Sequence, residues 1–117
     1  MLVELDVFSG RPNPRWELDE PCSQKLRQLQ NRLKASSRAP AEPPALGYRG
    51  FWYSDATGRV RAYRGYVKTA HAVFADPSFS IERYLLDQIP EEFAALRRRI
   101  ASELAGSKGK DSSRFRV

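Results

Sequence analysis

The stretch from Tyr48 to Lys68, YRGFWYSDATGRVRAYRGYVK, decides the fold of this chain. Aromatic and β-branched residues flank Asp55-Ala56-Thr57-Gly58, a turn with glycine at its end, so the two arms predict an antiparallel hairpin. If Asp55 pairs with Gly58, then Ser54 faces Arg59, Trp52 faces Arg61, Gly50 faces Tyr63 and Tyr48 faces Gly65. Each glycine then lies opposite a tyrosine whose ring can cover the bare backbone. This register separates two faces. Phe51, Tyr53, Val60 and Ala62 share the one expected to meet the core, while Tyr48, Trp52, Arg59, Arg61 and Tyr63 share an aromatic and basic one. Arg49 and Arg64 oppose each other across the arms, which is unfavourable unless they splay apart or share an acidic group. The carboxylate-rich first segment is one source of such a group, and a ligand is another.

Upstream, Val3, Leu5 and Val7 alternate with Glu4 and Asp6, the pattern of a half-buried strand. It leads into Phe8–Trp16, FSGRPNPRW. Gly10 opens backbone angles closed to other residues, and Pro12 and Pro14 fix φ and disfavour helix at Arg11 and Asn13. The loop is therefore stiff. It is either a recognition element built on Arg11 and Asn13 or a rigid connector with solvated arginines. Asp19 reads as an N-cap, with Glu20 and Pro21 in the first turn of a helix over 20–35 whose apolar stripe is Cys22, Leu26, Leu29 and Leu33.

Ser36–Ala45, with Pro40, Pro43 and Pro44, reads as an extended surface connector. Downstream, residues 69–75 predict a short strand. A helix capped by Ser78 or Ser80 is expected over 81–88, and a further helix over 90–105. Phe93, Leu96, Ile100 and Leu104 form the stripe of that last helix, and Gly106 is placed to stop it. Residues 107–117 have the composition of a basic tail, ordered only if Phe115 and Val117 dock with Arg114 and Arg116 beside them. The fold class expected is α+β: one binding domain over 1–106, with an antiparallel sheet packed by two or three helices.

The chain has 117 residues and a net charge of +6. Its first twenty residues carry five acidic groups against two basic, whereas 21–47 and 48–70 each carry five basic groups against one acidic. This uneven charge favours an anionic partner: nucleic acid, an acidic peptide or an acidic protein surface. With Cys22 as its single cysteine, no internal disulfide can form, which fits a reducing compartment. No signal-peptide pattern or membrane-length apolar run occurs, so a cytoplasmic location is expected.

Reactive constellations are scarce. His71 is the single histidine, so neither a structural zinc set nor a two-histidine metal site can be assembled. A Cys22–His71 pair is arithmetically possible, but Cys22 lies on a core stripe and His71 lacks a visible orienting partner. No phosphate-binding glycine loop is present. Glu4 and Asp6 point to one strand face and could hold a cation, act as an acid–base pair or simply meet nearby arginines. The aromatic-basic hairpin face could stack nucleic-acid bases, accept an added peptide strand or anchor a permanent protein interface. It could also pack under a terminal helix.

The run Val3–Pro14 together with the Gly50-Phe51-Trp52-Tyr53 strand resembles a family of small bacterial partner proteins. These act beside a non-haem multi-iron TIM-barrel enzyme that makes thiaglutamate on a ribosomal carrier peptide. The resemblance implies a noncatalytic accessory subunit, forming a heterodimer with the metalloenzyme and recognising the peptide whose C-terminal cysteine is modified. It implies no cofactor in this chain, since the iron belongs to the partner enzyme, and no catalytic residue carries over. Such partners resemble winged-helix peptide-recognition domains with three strands before three helices, whereas here a helix separates the first strand from the hairpin. Arg11 and Asn13 become candidates for one contact with enzyme or peptide. Tyr48, Trp52, Arg59, Arg61 and Tyr63 are candidates for the other. A small single-stranded nucleic-acid binder is the alternative.

Overall fold

The computed structural model describes residues 1–38, 42–44 and 46–116, with side chains as far as residue 105. The elements run β1 (Leu2–Leu5), β2 (Arg15–Glu17), α1 (Glu20–Asn31), β3 (Lys34–Ala35), β4 (Phe51–Asp55), β5 (Gly58–Tyr63), β6 (Tyr66–Lys68), β7 (Val73–Ala75), α2 (Ser80–Asp87) and α3 (Ala94–Arg116). A short 3-10 turn at Glu91–Phe93 precedes α3. The strands form one antiparallel sheet in the order β2-β1-β4-β5-β6-β7-β3.

The β4–β5 hairpin has the expected register, with Trp52 opposite Arg61 and Asp55 opposite Gly58. Its turn is locked by Asp55, whose carboxylate accepts from the Thr57 amide at 2.8 Å and the Thr57 hydroxyl at 2.6 Å. Partial burial opposes ionisation there. Hydrogen bonds from Thr57, Gln30 and Gly58 more than offset it and lower the Asp55 pKa. The second arm does not run straight to Lys68. At Arg64-Gly65, with φ of 46° and 86°, it reverses into β6, the two-residue turn with both angles positive that suits right-twisted strands. Tyr63 consequently faces Tyr66. Gly50 does lie against Tyr63: a Cβ on it would stand 3.0 Å from the Tyr63 Cβ and 2.4 Å from the Ala62 carbonyl oxygen.

One sheet face carries Val3, Leu5, Phe51, Tyr53, Val60, Ala62 and Val67, all buried, with Leu26 from α1, Ile81 and Leu85 from α2, and Ile100 and Leu104 from α3. Alternation places Glu4, Trp52, Ser54, Arg59, Arg61 and Lys68 on the opposite, open face.

Several elements differ from expectation. β2 pairs with β1 through Trp16 opposite Val3, so the proline loop is a hairpin connection. α1 stops at Asn31, and Lys34–Ala35 leave it to pair with β7. Asp19 caps α1 as expected, accepting from the Cys22 amide at 2.9 Å, a bond that lowers its pKa. For α2 neither serine is the cap. The N-cap position is Phe79, in the left-handed region, and buried Asp76 from the preceding turn satisfies the helix start, accepting from the Ile81 amide at 2.9 Å and the Ser80 hydroxyl at 2.8 Å. α3 continues helically past Gly106 to Arg116, because an isolated glycine costs only about 1 kcal/mol in a helix. The expected docking of Phe115 and Val117 lies outside the described side chains. So does Pro40 of the connector.

Candidate binding face

The open face is organised around Asp6, which is 9% exposed. Its backbone extends the β1–β4 pairing, with the Asp6 amide donating to Gly50 and the Arg49 amide donating to Asp6. Its carboxylate then meets four side chains. Arg49 lies 2.7 Å from Oδ1, the Trp52 indole N–H donates to Oδ2 at 3.1 Å, Arg61 reaches Oδ2 at 3.4 Å, and Asn13 donates to Oδ1 at 3.4 Å. Arg61 also donates to the Arg49 carbonyl at 2.7 Å. The like-charge conflict foreseen for the hairpin is thus relieved by the first strand: Arg49 goes to Asp6. Arg64 instead approaches Glu103 of α3 at 3.8 Å.

Trp52 lies at the centre of a cationic stack. The guanidinium carbons of Arg59 and Arg61 stand 4.6 and 4.8 Å from its ring centroid. Arg61 is also 5.9 Å, and Arg64 5.6 Å, from the centroid of Tyr63. Arg59 is 60% exposed at its side chain and only loosely paired, 3.9 Å from Glu4. Glu4 also serves Arg15 at 3.3 Å and accepts from Asn13 at 2.9 Å.

The site residues expected from sequence therefore divide. Trp52, Arg59 and Arg61 come together on the open face. Tyr63 meets Arg61 at the margin of this group, but it and Tyr48 are buried, 5% and 1% exposed. Their rings pack 5.7 Å apart at the end of the sheet, where the Arg64-Gly65 turn closes over them. The Tyr48 hydroxyl donates to the buried Glu82 carboxylate, which also accepts from the Gly65 amide at 2.8 Å. Burial pushes the Tyr48 phenol well above its ordinary range and raises Glu82 against the hydrogen bonds it accepts. Asn13 is folded inward, its Oδ1 accepting from the Val7 amide at 3.0 Å and the Phe8 amide at 2.8 Å. It holds the loop closed. Arg11 remains exposed at the loop tip, 3.8 Å above the Phe8 ring.

Arg15 and Arg49 complete the face and were missed as site residues. The signal for Arg49 was its pairing problem, which a carboxylate of the first strand was one way to solve. Arg15 was hidden in a three-residue strand behind two prolines.

The two candidate reactive groups sit on separate elements. The Cys22 thiol donates to Gln88 at 3.4 Å, whereas His71 is exposed in the turn between β6 and β7. Among the described residues no cluster of three or more His, Cys, Asp or Glu side chains could hold a metal ion, and no helix is long and apolar enough to cross a membrane. No protein-family model, curated protein or solved structure matches the chain.

Proposed function

We propose that this chain is a noncatalytic recognition subunit that takes a carrier peptide on its open sheet face and docks onto a separate metalloenzyme. The observation that carries the reading is the Arg59–Trp52–Arg61 stack. A guanidinium lying over an aromatic ring keeps its N–H edge in its own plane; that of Arg59, 60% exposed at its side chain, is the one left to grip a carboxylate or a peptide carbonyl, while Arg61 gives its Nε and Nη2 donors to the Arg49 carbonyl and Asp6. Asp6 and Glu4 pair with Arg61 and Arg59 at 3.4 and 3.9 Å, so the array is oriented before a ligand arrives. In this reading the reacting iron belongs to the partner enzyme, as the resemblance implies, and this chain supplies shape and charge.

The net charge of +6 favours a second reading, single-stranded nucleic acid. Such a ligand binds by stacking bases on exposed rings. Here the Trp52 ring already carries two guanidinium groups, which a base would have to displace.

Calorimetric titration of the full chain with the carrier peptide encoded beside its gene tests the proposal. Saturable binding, weakened about tenfold or more in Trp52→Ala, is expected. Failure to bind any neighbour-encoded peptide, combined with failure to co-purify with a neighbour-encoded enzyme, would overturn it. Oligonucleotide binding that falls steeply with salt would replace it with the second reading.

A further inference from the structure

We propose that the free edge of β2 is a self-association surface, on which a second copy of this chain lays its own β2 antiparallel. The direction of the edge groups follows from the β1–β2 ladder. The Leu5 amide donates to the Pro14 carbonyl at 3.0 Å, and the Leu18 amide donates to the Met1 carbonyl at 2.8 Å. Backbone groups alternate in direction along an antiparallel strand. Pro14, Trp16 and Leu18 therefore turn their polar groups toward β1, while Arg15 and Glu17 turn theirs outward. β2 ends the sheet, so no strand among the described residues meets those outward groups. Proline commonly blunts such an edge. Here the N–H that Pro14 lacks would have pointed inward, and the outer edge stays competent to pair.

The side chains specify the occupant. Arg15 and Glu17 are 60% and 73% exposed and flank Trp16 with opposite charges. An antiparallel strand that complements them must carry a cation and, two residues later, an anion. β2 has that order itself. A two-fold axis at Trp16 sets Arg15 of each copy opposite Glu17 of the other, giving two identical cross-strand ion pairs and four backbone hydrogen bonds. Glu4 and the terminal ammonium steady these two side chains from within, at 3.3 and 3.2 Å, without burying them. Such an axis stands perpendicular to the sheet, so the open faces of both copies look the same way. The inference does not depend on the peptide reading.

Sedimentation velocity on the full chain over a concentration series tests it, with circular dichroism confirming that each variant is folded. The wild type is expected to dimerise. Arg15→Glu alone or Glu17→Arg alone places two like-charge pairs across the axis and should weaken the dimer about tenfold or more. Mixing the two single variants should restore a dimer, because each pair then has opposite signs again. A wild-type chain that stays monomeric up to ~1 mM would overturn the proposal. So would a dimer indifferent to both reversals, or one that mixing fails to restore. A monomer that instead binds a synthetic strand peptide of order Arg-x-Glu would overturn self-pairing in favour of a separate partner strand.

Discussion

Asp6 and Glu82 are both carboxylates at the centre of a polar network, and they are built for opposite purposes. Glu82 is 1% exposed and lies at the join between α2 and the Arg64-Gly65 turn, where Tyr48 and Gly65 donate to it. Asp6 gathers Arg49, Arg61, Trp52 and Asn13, yet its two arginines keep about a quarter of their side-chain surface in solvent. The buried network can exchange nothing with water, so every missing partner there is costly. The open network can rearrange, because a released guanidinium is solvated at once. One closes the fold. The other organises a face that stays open to solvent.

The sharpest way to break this comparison is Glu82→Leu. It strands the Tyr48 hydroxyl and the Gly65 amide away from water, and should lower unfolding free energy by about 3 kcal/mol in urea denaturation. Asp6→Ala leaves more partners behind, but they reach solvent, so about 1–2 kcal/mol is expected from the same measurement. An equal loss in both variants would erase the distinction drawn here. Asn13→Ala should cost about 1 kcal/mol, since its carboxamide ties the Val7 and Phe8 amides to Glu4. Faster amide hydrogen exchange at Val7 and Phe8 would mark the opened loop.

The smallest effect lies in pH. Burial raises the folded-state pKa of Glu82 above its usual 4.5, so the folded protein holds this proton more tightly than the unfolded chain does. The associated stability is fully present below the unfolded pKa and is lost as pH rises through the raised folded value. Asp19 and Asp55 are lowered instead, and they contribute in the opposite sense, with stability lost as pH falls through their folded values. Denaturation of wild type and Glu82→Gln across this acidic range should therefore differ in slope. The wild-type stability should fall relative to the variant as pH rises, and parallel curves would refute the assignment.

Local chemistry made the hairpin legible. Asp55 and Gly58 defined the turn, and the alternation of Phe51, Tyr53, Val60 and Ala62 fixed both register and core face. The same alternation correctly grouped Trp52, Arg59 and Arg61. It did not reveal that Tyr48 and Tyr63 are buried, because burial there is decided at the end of the sheet, where a turn at Arg64-Gly65 and a glutamate seventeen residues further along converge. Nothing in the spacing of Tyr63 reveals that its strand is about to reverse. Likewise, Asn13 carries the same amide whether it faces a ligand or its own loop. Only the return of β2 along β1 turns it inward. Strands as short as Arg15–Glu17 and Lys34–Ala35 show no periodicity at all, since three residues or two cannot display an alternation.

The inward clasp of Asn13 divides the first hairpin into two mechanical parts. The base of the loop, at Val7 and Phe8, is tied to Glu4 of β1 through that one carboxamide. The tip formed by Ser9, Gly10 and Arg11 hangs beyond the clasp, exposed to solvent. Lengthening or recoding that tip leaves the strand register untouched, which makes it the natural graft point for a label or an affinity handle beside the open face.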